Sequence, residues 1–274
     1  MKETPVVIMC GGQGTRMGNT LAKKELIDIG GRPLLWHVMR IFSAYGHNRF
    51  ILALGHQGDQ VRRYFLEYEA MTRDATIHLA RPGNADGRPR LTFTGEYDHP
   101  PWDVTLVDTG LDTGRAARLL RLRPYLGNGR FFAAYGEAVA DIDLDKLLAF
   151  HEGHGKLATI TGIRFPSQYG KILAREDGRV TVFEEKPLLP YWINGGFMLF
   201  EAAVLDIIAG YGRDDLMETD IMPDLMAQGE LMLYKHTGYW QSMKTFKDAK
   251  KLNEAWRANQ PWNVWGTTDR VDFA

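Results

Sequence analysis

The sequence predicts a three-layer α/β domain on a mostly parallel sheet, with a small antiparallel hairpin region in its second half. Three observations predict it. Apolar runs of strand length alternate with amphipathic helical stretches through the first half of the 274 residues. The first apolar run leads straight into a glycine-rich loop. In the second half, Asp177-Gly178 sits between two strand-like runs, a strong short-range hairpin signal.

The elements follow in order. Val6-Val7-Ile8-Met9 is continuous and β-branched, as in a parallel strand buried on both faces. Pro33 is placed to open a helix with Leu34, Leu35, Val38, Met39, Ile41 and Phe42 on its apolar side and Gly46 as its stop. Residues 50–54 form a second strand. Residues 60–68 form a helix whose face carries Val61, Tyr64, Phe65 and Tyr68. Residues 72–96 are polar and rich in Arg, Gly and Pro, predicting an excursion with at most short strands. Strands at 104–107 and 130–135 flank a helix at 115–122, and Asp143 caps a helix over 144–151. Then come a strand at 157–163, the hairpin strands 171–174 and 180–183, and a strand at 193–200. Helices at 202–209 and 220–228, a strand at 231–235 and a helix at 246–258 complete the order. With no repeat or low-complexity linker, residues 1–274 read as one domain. Its strand–helix half covers about 1–150 and its hairpin-bearing half about 151–274.

Composition excludes several classes. The net charge is -1, so no basic field is available to capture nucleic acid. No apolar run approaches the roughly 20 residues of a membrane helix. Neither a membrane partner nor a signal peptide is expected, and a cytoplasmic location is. A single cysteine, Cys10, forbids an intrachain disulfide. His37, His56, His151 and His154 are read as packing or surface residues. Trp256, Trp262 and Trp265 are read as core or subunit contact, which suits a homo-oligomer interface.

Gly11-Gly12-Gln13-Gly14-Thr15-Arg16 is the segment that carries chemistry. Glycines after a buried strand let backbone N–H groups turn toward a bound anion, and Arg16 adds a fixed charge. The pattern is neither a P-loop nor G-x-G-x-x-G. The loop, Lys24 and Ile29-Gly30-Gly31-Arg32-Pro33-Leu34 together resemble the opening of the sugar-1-phosphate nucleotidyltransferases. The cytidylyltransferases acting on glucose 1-phosphate are the most similar branch. The likeness runs on through Gly55-His56-Gln57-Gly58, Val139-Ala140-Asp141, Phe183-Glu184-Glu185-Lys186-Pro187, Ile193-Asn194-Gly195-Gly196-Phe197 and Gly238-Tyr239-Trp240-Gln241.

That resemblance implies a Rossmann-like nucleotidyltransferase domain with a nucleoside triphosphate, CTP, as donor and a phosphorylated small molecule, a sugar 1-phosphate, as acceptor. It implies that Gly11, Gly12, Gln13, Gly14 and Thr15 cradle the triphosphate, with Arg118 and Glu137 also on the nucleotide. Arg16 and Lys24 would neutralise the transferring phosphorus and the pyrophosphate. Glu185, Lys186, Asn194 and Gly195 would hold the acceptor. The chain also departs from the family pattern. Where the family reads Gly-Asp-Gly, its aspartate binding Mg²⁺, this chain has Gly136-Glu137-Ala138. Where the second metal-binding aspartate follows Trp-Gln, it has Lys244. Pro-Lys-Pro becomes Lys23-Lys24-Glu25, and Thr-Gly-Gly-Arg becomes Arg115-Ala116-Ala117-Arg118. Weakened Mg²⁺ binding through Glu137 is expected, with Lys244 supplying part of the metal's charge. Three accounts stay open: a nucleotidyltransferase, a changed reaction on a nucleotide or sugar phosphate, and a non-catalytic binding protein.

Overall fold

The computed structural model describes residues 3–12, 23–79, 90–94, 101–211 and 217–266. β1 (Val6–Cys10) precedes a single 3-10 turn at Lys24–Leu26, the short β2 (Asp28–Ile29) and β3 (Arg32–Pro33), and α1 (Leu34–Ser43). β4 (Arg49–Leu54), α2 (Gly58–Leu66), α3 (Tyr68–Thr72), β5 (Asp74–His78), β6 (Arg90–Thr94) and β7 (Asp103–Asp108) follow. Next are α4 (Arg115–Arg121), α5 (Arg123–Leu126), β8 (Phe131–Tyr135), β9 (Ala138–Ala140), α6 (Leu144–His154) and β10 (Ala158–Ile163). The hairpin β11 (Lys171–Ala174) and β12 (Val180–Glu184) leads to β13 (Ile193–Phe200) and α7 (Val204–Tyr211). A π-helical turn at Met217–Ile221 runs into α8 (Met222–Ala227), then β14 (Leu231–His236), β15 (Trp240–Ser242) and α9 (Phe246–Ala258).

Among the described residues the main sheet has seven strands in the order β14-β10-β13-β8-β1-β4-β7. All its pairings are parallel except those of β13, which runs antiparallel to both β10 and β8. Side chains alternate across it, as the two-residue period of a strand demands. Val6, Ile8, Cys10, Phe132, Ala134, Phe197 and Leu199 face one layer, packed by α1, α6 and α9. Val7, Phe131, Ala133, Met198 and Phe200 face the other, packed by α4, α7 and α8. This is the expected three-layer α/β domain.

The differences have local causes. Pro33 stays extended and the helix starts at Leu34. The helix expected over 60–68 breaks at Glu67 into α2 and α3. Part of the 72–96 excursion forms the β5–β6 ladder. Asp143 accepts from Lys146 N at 3.0 Å, and α6 runs to His154, where Gly155 takes φ 61° and ends it. At the hairpin turn Gly178 takes φ 81°, and Asp177 Oδ1 accepts from Arg179 N at 2.9 Å. No helix among the described residues is long and apolar enough to cross a membrane.

Of the two readings of the aromatic tail, core is what Trp262 shows. Trp262 is fully buried against α1, and Trp256 packs edge-on to His37 at 4.5 Å. His37 Nε2–H donates to Ile29 O at 2.8 Å, and Nδ1 accepts from Trp262 Nε1 at 3.3 Å. Burial lowers the His37 pKa from 6.5 to about 4, so the folded protein holds it neutral. Between those values the unfolded chain binds a proton that the folded chain refuses, so stability falls as pH falls through that window. The expected loss from this residue is about 3 kcal/mol when the window has been crossed. Urea unfolding across pH 7 to 4 checks it: His37→Gln should show a shallower pH slope than the native chain.

Candidate nucleotide and acceptor site

The C-terminal ends of β1, β4 and β8 lie where parallel order gives way to the antiparallel β13, the position at which open α/β sheets bind ligands. Beneath those strand ends lies Arg118. It projects from α4 into the interior, 5 % exposed. Its Nη1 meets Leu54 O at 3.1 Å, Thr109 Oγ1 at 2.6 Å and Gly110 O at 2.7 Å; its Nη2 meets Gly11 O at 3.2 Å and Leu111 O at 3.0 Å. The carbonyls at the ends of β1, β4 and β7 are thus gathered by one planar cation with a forked donor set. The guanidinium passes between Gly11 and Gly55. A β-carbon on Gly11 would strike it, and one on Gly55 would lie 2.7 Å from Nη1. Arg118, expected on the nucleotide, here has its terminal nitrogens bound by protein acceptors and holds Gly11 from beneath.

A second cation supports the same loop. Lys23 is 2 % exposed, and its Nζ donates to Gly12 O at 2.9 Å and His56 O at 2.8 Å. Glu25 Oε2 lies 3.6 Å from it. Burial pushes the Glu25 carboxyl above the ordinary carboxylate range, with Lys23 and Lys24 pulling the other way. Lys24, next in the chain, forms an ion pair with Glu137. Gly136 lets Glu25 and Cys10 approach closely: a β-carbon there would lie 3.0 Å from Glu25 Cγ and 3.2 Å from Cys10 Sγ. Met243 N donates to Glu137 O at 2.8 Å, joining the β8–β9 connection to the end of β15. Lys244, exposed, follows directly. The structure therefore pairs Lys24 with Glu137 and brings the backbone leading into Lys244 against Glu137. Gln13, Gly14, Thr15 and Arg16 lie outside the described residues.

On the β13 side, Gly195 O accepts from Trp240 Nε1 at 2.7 Å, and Asn194 Oδ1 accepts from Gly196 N at 2.9 Å. Gly196 takes φ 83°, and a β-carbon there would lie 2.5 Å from the Tyr135 ring. Glu185 and Lys186 end the exposed hairpin, 3.5 Å apart, with Lys186 itself at φ 48°. Sequence reasoning missed a polar knot here. Tyr135 Oη donates to Glu218 Oε1 at 2.6 Å, and Arg115 Nη1 reaches the same oxygen at 3.0 Å. The Arg115 guanidinium lies over the Tyr135 ring at 5.2 Å. Burial, then the Glu218 carboxylate, raises the Tyr135 pKa, so its hydroxyl stays a proton donor. Glu218 sits on the π-helical turn, a distortion often found at functional sites. The one sequence signal was the run Glu218-Thr219-Asp220 between buried Met217 and Ile221.

The acids near Glu137 do not fit a divalent cation. Among the described residues no three His, Cys, Asp or Glu side chains are grouped to hold a metal ion. Glu137 is paired with an ammonium, and Lys244 has no lone pair to give.

Residues 5–258 match the family described as Nucleotidyl transferase. The chain is 37% identical over 262 residues to a probable glucose-1-phosphate cytidylyltransferase of Bacillus subtilis, covering 94% of this chain and 99% of that one. It is 36% identical over 264 residues to glucose-1-phosphate cytidylyltransferase of Salmonella typhimurium, covering 94% and 98%. Its fold is similar to the crystal structure of a putative glucose-1-phosphate thymidylyltransferase from Bacillus anthracis in complex with a sucrose. The TM-score there is 0.66 at 18% identity, covering 97% of this chain and 98% of that one.

Proposed function

The chain belongs to the nucleotidyl transferase family, an enzyme family that moves a nucleotide onto a sugar 1-phosphate with release of pyrophosphate, and from that premise we propose that its donor is CTP and its acceptor glucose 1-phosphate. The observation that carries this reading is the pairing of Lys24 with Glu137 after β8, beside Lys23, which binds Gly12 O just past β1, with Asn194 and Tyr135 at the β8–β13 switch. The identity to two cytidylyltransferases along nearly the whole chain supports the choice of base and sugar.

In this reading a phosphate oxygen of the acceptor attacks the α-phosphorus in line. The bond from that phosphorus to the β-bridging oxygen breaks, and pyrophosphate leaves with the electron pair. Such a step needs positioning and charge neutralisation more than a base. Lys24 exchanges Glu137 for phosphate oxygen, and Arg16 adds its charge. Lys23 and Arg118 keep the loop's carbonyls turned inward, leaving backbone N–H groups for the triphosphate. Lys186 and Glu185 take the acceptor's phosphate and hydroxyls, with Asn194 and Gly195 at the turn. A homo-oligomer in the cytoplasm completes the proposal.

Pyrophosphate release with each of the four common triphosphates and a panel of sugar phosphates tests it. CTP with glucose 1-phosphate should give the highest kcat/KM, and release with no triphosphate on any acceptor would instead favour a binding protein. The division of the site gives a second expected result. Lys186→Ala should raise the acceptor KM by about 10-fold or more, as loss of a charged phosphate contact does, and leave CTP affinity unchanged. Isothermal titration with CTP beside acceptor kinetics checks it; equal loss of both ligands contradicts the division.

A further inference from the structure

We infer that protein-borne ammonium groups stand where this fold family holds a divalent cation, so that the polyphosphate is bound here without a metal seated on the protein. The inference rests on the nucleotidyl-transfer reading and concerns the corner formed by the Lys24–Glu137 pair and the backbone leading into Lys244.

Among the described residues, Glu137, Glu25 and Asp248 each face a lysine ammonium or backbone donors. Glu137 holds Lys24, with the two side chains 25% and 16% exposed, so this is a shielded pair and not a solvated one. Glu25 is buried beside Lys23. Asp141 Oδ1 lies 3.1 Å from His236 Nε2, but that nitrogen is bonded to Tyr239 O, and the carboxylate oxygen accepts no hydrogen bond among the described residues. Asp248 serves the start of α9: its Oδ2 accepts from Lys244 N at 3.0 Å, Thr245 N at 2.9 Å and Thr245 Oγ1 at 2.8 Å. Those bonds, with Met243 N on Glu137 O, fix the backbone on both sides of Lys244. The lysine is therefore carried at the corner by an ordered chain. A divalent ion entering would displace one ammonium and sit beside another, both repulsive. A phosphate entering would draw Lys24 from one anion to another and find Lys244 beside it. The arrangement favours the anion.

The charge arithmetic agrees. An Mg²⁺ between two carboxylates leaves little net charge on the protein side. One glutamate with two lysines gives a net positive corner without any ion, and its charges sit on side chains that can follow the polyphosphate as it separates.

Two measurements test this. In the first, MnCl₂ is titrated into the ligand-free protein and free Mn²⁺ is followed by electron paramagnetic resonance. The native chain should leave Mn²⁺ free, whereas Glu137→Asp combined with Lys244→Asp should bind it at least about 10-fold more tightly, as two facing carboxylates do. Lys244 is exposed, so the substitution does not disturb the core. One equivalent of Mn²⁺ taken up by the native chain would overturn the inference and leave the transferase reading intact. In the second, thermal unfolding is followed with inorganic pyrophosphate or CTP, in EDTA or in excess Mg²⁺. Equal stabilisation under both conditions is expected. Stabilisation that appears only with Mg²⁺ overturns the inference alone. Stabilisation under neither condition removes the transferase reading and the inference with it.

Discussion

Replacing Lys24 by Ala is expected to lower kcat by on the order of 10²-fold or more, the cost of losing a cation that meets charge developing in the transition state. Arg16→Ala should do the same. Lys24 is held ready on a rigid support: the 3-10 turn at Lys24–Leu26 is anchored on one side by buried Lys23 and on the other by Glu25 beneath Gly136. Because Lys24 pairs with Glu137, its loss also leaves that carboxylate facing the incoming phosphates, and like charges repel. Lys24→Ala combined with Glu137→Gln should therefore recover part of the substrate affinity lost in Lys24→Ala, while kcat stays low. Steady-state pyrophosphate release gives both quantities, and near-normal turnover in Lys24→Ala would remove the residue from the chemistry.

Arg118→Ala should destabilise the protein by about 3–5 kcal/mol with no nucleotide present, the range for stranding buried charged hydrogen-bond partners. Five acceptors on three stretches of chain lose their common donor, and a guanidinium-sized void opens at the ends of β1, β4 and β7. Arg118→Lys keeps the charge but cannot span the same acceptors, so it should recover only a minor part. A double-mutant cycle distinguishes this clamp from a ligand contact. Gly11→Ala pushes a methyl into the guanidinium and is destabilising alone, but it should cost little in the Arg118→Ala background, where the obstacle is gone. Urea unfolding of the four chains reads the coupling. Additive costs would mean that the two residues do not share this space.

How much of this was legible in the sequence depends on whether the signal was local. Val6 to Met9, the apolar side of α1 and the Asp177-Gly178 turn each carry their structure in a few neighbouring residues, and the sheet and the hairpin followed from them. The β9–β15 pairing was not legible, because Ala-Val-Ala and Trp-Gln-Ser are too short to show a period. The tryptophan tail was ambiguous for a different reason. Large aromatics serve cores and interfaces alike, and only the path of α9 across His37 puts Trp262 in the core. Lys24 could be picked out by the resemblance to the nucleotidyltransferases. That Lys23 is the buried one of the pair depends on carbonyls at Gly12 and His56, 33 residues apart from it in one case. The Arg115–Glu218–Tyr135 knot is more remote still, joining positions 103 and 83 residues apart.

The one cysteine turns this site into its own chemical reporter. Cys10 ends β1 with no exposed surface, packed under Gly136 near Glu25, and burial raises its thiol pKa well above the ordinary value. A thiol reagent can reach it only when the end of β1 opens, so labelling is gated by that opening and not by intrinsic reactivity. When reclosing is faster than labelling, the observed rate is the opening equilibrium multiplied by the rate for an exposed thiol. A ligand that closes the loop over Gly11 and Gly12 then slows labelling in proportion to its occupancy. Binding at the phosphate end can thus be followed in the native chain, with no engineered probe and no dependence on turnover.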